Sequence, residues 1–334
     1  MSPESERVEA IKNIIEKRGK PAIDIAAKEI LQSPYKGGIV SAATKHFVEV
    51  TLRGFLPVFP ALISLSCEAV GGKTEKTPSI GAAMSLIAGA ADIHDDIIDQ
   101  SETKYSKKTV FGRFGKDIAL LAGDALLMQG SMLLHRECDS LPKEQKNAIL
   151  KLVLQALFEI SKAEAEELSL NGKSETAPDE YLRIVKLKAV VPEVHCKIGG
   201  ILGNADEKTV TSLGRYGRTF GIVAAIRDEF TDLLDYPELN NRIKNGCPPL
   251  PMLYAFRDPD VGGQIHALIE SQKLTRKSAN KLVAVTMCSK GVQELKAYVA
   301  KMINSEVTIL QGLVDNLELR KEAELLLHVL TEGL

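Results

Sequence analysis

Apolar residues recur at three- and four-residue intervals along almost the whole chain. Val8, Ile11, Ile14 and Ile15, then Ile23, Ile25, Ile30 and Leu31, mark one face of a helix. No segment alternates convincingly with period two, so no strand is expected. Stop and start signals fall at Gly19 with Pro21, Pro34 with Gly37-Gly38, Gly71-Gly72, Leu141-Pro142, Ala177-Pro178, Pro248-Pro249 and Asp258-Pro259. Between them the spacing predicts long helices over 79–104, 115–139, 142–171, 179–203, 206–236 and 289–314. Such helices joined by short turns describe an all-α bundle around a cavity lined by facing side chains.

Composition agrees and narrows the class. The 334 residues carry 42 Lys and Arg against 44 Asp and Glu, a net charge of −2, which argues against bulk electrostatic binding to nucleic acid or anionic membrane. Hydrophobic residues at 45% and charged residues at 26% are globular proportions, and no Pro/Gly/Ser-rich linker interrupts the chain, so residues 1–334 are expected to form one large domain. Five cysteines without metal-type spacing point to free thiols in a reducing cytoplasm. The charged N-terminus lacks the apolar run of a signal peptide, and no uninterrupted apolar stretch of membrane-spanning length is expected.

One run departs from the helical background. Asp92, Asp95, Asp96 and Asp99 stand among Ala, Ile and His residues, and two i, i+4 pairs result: Asp92 with Asp96, and Asp95 with Asp99. Unpartnered, such a stripe is destabilised by desolvation and like-charge repulsion. Oxygen-only donors suit Mg²⁺, which retains water and completes its octahedron with phosphate oxygens. A solvated acidic face is the plainer alternative. A second pair, Asp228 and Asp232, follows another small-residue apolar run and tips the reading toward a metal-diphosphate site between two facing helices.

At these residues the chain resembles the trans-isoprenyl (polyprenyl) diphosphate synthases. His94-Asp95-Asp96-Ile97-Ile98-Asp99 is similar to that family's first DDxxD motif, and Asp228-Glu229-Phe230-Thr231-Asp232 to its second. Leu121-Ala122-Gly123-Asp124-Ala125-Leu126-Leu127 and Tyr216-Gly217-Arg218 before Gly221 also look like family phrases, and Lys188 falls at the place of the family's Lys-Thr lysine. The resemblance implies an isoprenoid-synthase-like bundle, a homodimer, and ionisation of an allylic prenyl diphosphate with three Mg²⁺. It assigns Asp95, Asp96, Asp99, Asp228 and Asp232 to metal, and Lys188, Lys104 and Arg227 to the diphosphate.

The same resemblance shows where the chain departs. The family holds isopentenyl diphosphate through a GGKxxRP segment and an Arg-Arg pair; here Leu56 and Phe59 replace the segment's Lys and Arg, and Tyr105 replaces the second Arg of the pair. Cys247 takes the place of a later Lys. Apolar walls cannot offset the desolvation of a diphosphate. An acceptor other than isopentenyl diphosphate is therefore expected, its identity open, unless Arg53 or His46 rescues the subsite. Cyclisation, chain elongation and a non-catalytic subunit are the alternatives. Ala90 and Ala91, one turn before the first motif, suggest room for a long prenyl tail or merely close helix packing.

Lesser candidates complete the reading. Pro192 is expected to kink its helix and bring His195 near the cavity, where a satisfied structural role is commoner than catalysis. Glu164, Glu166 and Glu167 read as a solvated face, and Lys107, Lys108, Arg113 and Lys116 as solvated cations or pyrophosphate neutralisers.

Overall fold

The computed structural model describes residues 3–34, 37–104, 106–170, 176–244, 247–270 and 274–332. It is all-α apart from one small hairpin, as the periodicity predicts, and it divides into two compact units, 1–152 with 195–213 and 153–194 with 214–334.

The first unit begins with α1 (Pro3–Leu31), which runs straight through Gly19 and Pro21 where a break was expected. Its buried face, Ile11, Ile14, Ile15, Ala22, Ala26 and Ile30, outweighs the single backbone hydrogen bond that Pro21 removes. Gly19 serves packing, since a Cβ there would lie 2.3 Å from the Pro57 carbonyl oxygen. Next come α2 (Gly38–Phe47), a π-helical turn (Val48–Leu52), α3 (Val58–Ala69) and α4 (Thr77–Ile98). A hairpin of β1 (Thr103–Lys104) and β2 (Lys107–Lys108) follows, then α5 (Val110–Phe114) and α6 (Lys116–Cys138). The expected helix 79–104 thus ends early. Asp99 caps it, Gln100 adopts a left-handed φ of 55°, and the Ser101 amide reaches back 2.9 Å to the Asp96 carbonyl, a Schellman-type closure. Tyr105 lies outside the described residues.

Helices α4 and α6 pack most extensively, and α1 lies against α3 and α4. Glycines make the approach close: a Cβ at Gly89 would sit 2.2 Å from the Phe47 ring, and one at Gly130 would sit 2.9 Å from Ile87. By length and composition α6 could cross a membrane, with a mean hydropathy of 1.4, yet its Ala119, Ala122, Leu126, Leu133 and Leu134 are buried in this packing. Leu121, Met128 and Met132 on the same helix remain exposed.

Helices α7 (Lys143–Leu168), α9 (Val190–Leu202) and α10 (Glu207–Leu234) contribute residues to both units. The second unit adds α8 (Pro178–Lys188), α11 (Tyr236–Lys244), α12 (Leu250–Ala255), α13 (Pro259–Glu270), α14 (Arg276–Met287), α15 (Lys290–Leu313) and α16 (Leu317–His328). The helix expected over 179–203 is two helices broken at Ala189. Pro192 cannot donate to the Lys188 carbonyl, and the break falls within that turn. Helix α12 packs on α8, α14 and α15.

Candidate functional site

In the first unit the acidic run occupies the last two turns of α4. Asp96 is buried, Asp92 and Asp95 are half-buried and Asp99 is exposed. The closure at Gln100 and the hairpin return Lys104 to the helix, where its Nζ lies 2.7 Å from Asp92 Oδ1 and 2.8 Å from Asp96 Oδ1. The i, i+4 spacing of these two acids lets one ammonium bridge both. Burial pushes the Asp96 carboxyl up to about 6, with Lys104 opposing the rise. Burial would by itself lower Lys104, but Asp92 and Asp96 hold it above the ordinary lysine value. Lys104, expected to contact diphosphate, is here the internal partner that the acidic stripe requires.

His94 faces α6, 3.4 Å from Asp124 Oδ1, and a Cβ at Gly123 would lie 2.3 Å from His94 Nε2. The Gly123-Asp124 phrase is thereby accounted for, one residue giving room to the imidazole and the next a carboxylate beside it. Ala90 is buried and Ala91 half-buried, and Phe47 occupies the space beside Gly89. His46 is buried, with Nε2 at 2.8 Å from the Lys108 carbonyl and Nδ1 at 2.9 Å from Arg113, so it braces the hairpin. Phe55, Leu56 and Phe59 keep exposed apolar surface, while Arg53 is exposed. The ring of Phe59 meets buried His195 at 5.4 Å between centroids, a packing contact for the histidine considered as a base.

In the second unit, the acidic motif lies near the end of α10. Asp228 and Arg227 are exposed, Asp232 is half-buried and Glu229 is 8% exposed. Arg242, on α11, reaches back to all but the first acid: its Nη1 is 2.7 Å from Asp232 Oδ2 and its Nη2 is 3.0 Å from Glu229 Oε2. Glu229 also accepts from the Leu250 amide at 2.8 Å. The Tyr181 hydroxyl stands 2.9 Å from Glu229 Oε1 and 3.0 Å from Glu167 Oε1, so its one proton serves either carboxylate. Burial pushes Asp232 up to about 7 despite Arg242. Asp228 is raised as well, first by loss of solvation to the surrounding protein and then by Glu229, although its own surface is exposed and Arg227 opposes the rise.

Lys188 ends α8 between Glu164, at 2.9 Å, and Glu167. Burial lowers its pKa, but the two carboxylates raise it further, to a net value above that of free lysine. The expectation that Glu164, Glu166 and Glu167 form a solvated face is corrected here: two of them hold the half-buried Lys188, and Glu166 pairs with Arg183. A cation set among them supplies the compensation that helical spacing alone does not reveal. Tyr216-Gly217-Arg218 is a packing motif. Tyr216 donates to the Ala323 carbonyl at 2.9 Å, a Cβ at Gly217 would lie 2.4 Å from the Pro192 oxygen, and Arg218 joins Glu159, Glu193 and the Lys186 carbonyl. Cys67, Cys138, Cys196 and Cys247 are buried and Cys288 is exposed, all as free thiols.

The donors of both motifs are carboxylate oxygens, suited to a hard divalent cation. Burial raises Asp96 and Asp232 even with Lys104 and Arg242 beside them, and a further cation there would favour their ionised forms. Among the described residues no three His, Cys, Asp or Glu groups converge on a common point. A bound Mg²⁺ would then complete its shell with water and phosphate oxygens.

Comparison with known proteins shows the class. The polyprenyl synthetase family model matches residues 58–286, and the chain belongs to that family. A short chain isoprenyl diphosphate synthase of Methanothermobacter thermautotrophicus is 28% identical over 197 residues, so the match spans 59% of each chain. Component 2 of the heptaprenyl diphosphate synthase of Bacillus subtilis is 27% identical over 259 residues, 75% of this chain and 71% of that one. The solved geranylgeranyl pyrophosphate synthetase of Pyrococcus horikoshii superposes with a TM-score of 0.85 at 24% identity, covering 98% of this chain and 99% of that one. That likeness establishes the isoprenoid-synthase-like fold.

Proposed function

We propose that this protein is a Mg²⁺-dependent prenyltransferase that ionises a long allylic prenyl diphosphate and delivers the prenyl cation to an acceptor without a diphosphate. The acids assigned to metal are Asp95, Asp96, Asp99, Asp228 and Asp232, with Asp96 and Asp232 each sharing its carboxylate with a resident cation. When bound, magnesium supplies electrostatic stabilisation of the departing pyrophosphate. Lys188, Lys104 and Arg227 are the cationic side chains assigned to the diphosphate, the first two being released from their carboxylates as its charge arrives. Ala90 and Ala91 are assigned to the side of the prenyl tail.

The observation that carries the acceptor is the exposed apolar surface of Leu56 and Phe59, where the resemblance calls for cations. His46, the candidate rescuer, is engaged with Lys108 and Arg113. Chain elongation with isopentenyl diphosphate is the second reading. It is favoured by the three relatives compared above, each a synthase of a prenyl diphosphate, and they give cyclisation no support.

Incubation with Mg²⁺ and geranylgeranyl diphosphate, with and without isopentenyl diphosphate, separates these readings. Longer diphosphates formed only with isopentenyl diphosphate would establish elongation and remove the present acceptor. Pyrophosphate release independent of it supports the proposal. Leu56→Lys with Phe59→Arg should then confer dependence on isopentenyl diphosphate. Dimerisation is proposed through the exposed Leu121, Met128 and Met132 of α6, a stripe that a second copy would cover. A monomer in sedimentation analysis would eliminate that part.

A further inference from the structure

The second acidic motif is organised by a residue that belongs to no motif. Arg242 lies near the C-terminal end of α11, and its five N–H directions all have acceptors. Nε donates to the Cys247 carbonyl at 2.9 Å, Nη1 to Asp232 at 2.7 Å and to Glu229 Oε1 at 3.3 Å, and Nη2 to the Tyr181 hydroxyl at 2.9 Å and to Glu229 Oε2 at 3.0 Å. Its side chain is 15% exposed, and its guanidinium carbon stands 5.7 Å from the Tyr181 ring centroid. A lysine has neither the planar fork nor the number of fixed donors to satisfy this set. Asp228 stands outside the network, with its surface exposed.

We propose that Arg242 is a positioning residue for the reaction proposed above, on which this inference rests. It fastens Glu229 and Asp232 to Tyr181 and Cys247, and so fixes the rotation of the end of α10 that presents Asp228. One oxygen of Asp232 is taken by the guanidinium, which leaves the other to face a cation. The arrangement places a supporting shell of hydrogen bonds behind the carboxylates that would hold the metal, the kind of support whose loss weakens metal binding without removing a ligand.

The test compares the full-length protein with Arg242→Gln, Arg242→Lys and Asp95→Ala. Calorimetry measures binding of Mg²⁺ with inorganic pyrophosphate, and steady-state kinetics with geranylgeranyl diphosphate separates kcat from KM. Arg242→Gln should weaken Mg²⁺-pyrophosphate binding about tenfold and lower kcat more than it raises KM, and Arg242→Lys should recover part of the loss. Folded Arg242→Gln that binds as the wild type would overturn the inference, provided Asp95→Ala loses binding. Wild-type binding by Asp95→Ala as well would overturn the functional reading and this inference with it. Should Arg242→Gln fail to fold, Arg242→Lys decides: weaker binding at wild-type helicity supports the role, and unchanged binding refutes it.

Discussion

The two acidic motifs solve one electrostatic problem by different means. Each sets carboxylates at helical spacing beside apolar residues, and each draws in one cation to bridge two of them. In the first unit the cation is Lys104, 31% exposed, carried by a hairpin that begins only a few residues after the acids. In the second it is Arg242, 15% exposed and tied to Tyr181 and Cys247 as well. Either cation strands a buried carboxylate on leaving, but the flexible ammonium gives up only its contacts to Asp92 and Asp96, whereas the guanidinium must give up a partner on every donor. The first motif is therefore built to rearrange around incoming charge, and the second to stay in place.

The largest expected effect tests what the motifs share. Asp95→Ala and Asp228→Ala should each lower pyrophosphate release from geranylgeranyl diphosphate by about 10²–10³-fold. Loss in only one of them would show that a single motif does the electrostatic work. Next in size is the contrast itself. Arg242→Leu leaves Glu229 buried beside Asp232 without its countercharge and should cost about 3–5 kcal/mol in denaturant unfolding.

The pH dependence sharpens the comparison further. Asp96 and Asp232 have folded pKa values near 6 and near 7, above the ordinary 3.8. For such raised acids the folded state binds protons more tightly than the unfolded one. Their contribution to stability is full below about pH 4 and is lost as pH rises through 6 for the first and 7 for the second. Asp96→Asn should flatten the lower window and Asp232→Asn the upper, as read by unfolding free energy against pH. Equal windows would erase the distinction. Smallest is Lys104→Met, expected to cost less than Arg242→Leu because Lys104 and Asp92 are each about one-third exposed, although buried Asp96 loses its countercharge. A loss as large as that of Arg242→Leu would contradict a mobile first cation.

Much of this architecture is legible in the sequence. The long helices 115–139, 142–171, 206–236 and 289–314 match α6, α7, α10 and α15 within a few residues, because each carries a continuous apolar face. The acids were equally plain, since carboxylates in an Ala- and Ile-rich run demand a partner. Their partners were harder. Lys104 was visible as a nearby cation, but its return depends on the left-handed Gln100 and the hairpin, neither of which has a periodic signature. Arg242 contacts Glu229 from 13 positions away in sequence, across a helix break that sets no fixed distance. Glu164 and Glu167 looked solvated because the lysine between them comes from a different helix. Pro21 misled for the opposite reason: a local breaker was overridden by burial along the whole of α1.

The contact of His94 with α6 has a consequence for how variation in this chain should be interpreted. At Gly123 only a hydrogen fits beneath the imidazole. A saturation scan should score larger residues there as less tolerated, because the imidazole must move to admit them, although the glycine presents no functional group. Intolerance there would report the seating of a neighbouring ring, and a survey that ranked positions by sensitivity alone would mistake a spacer for a participant.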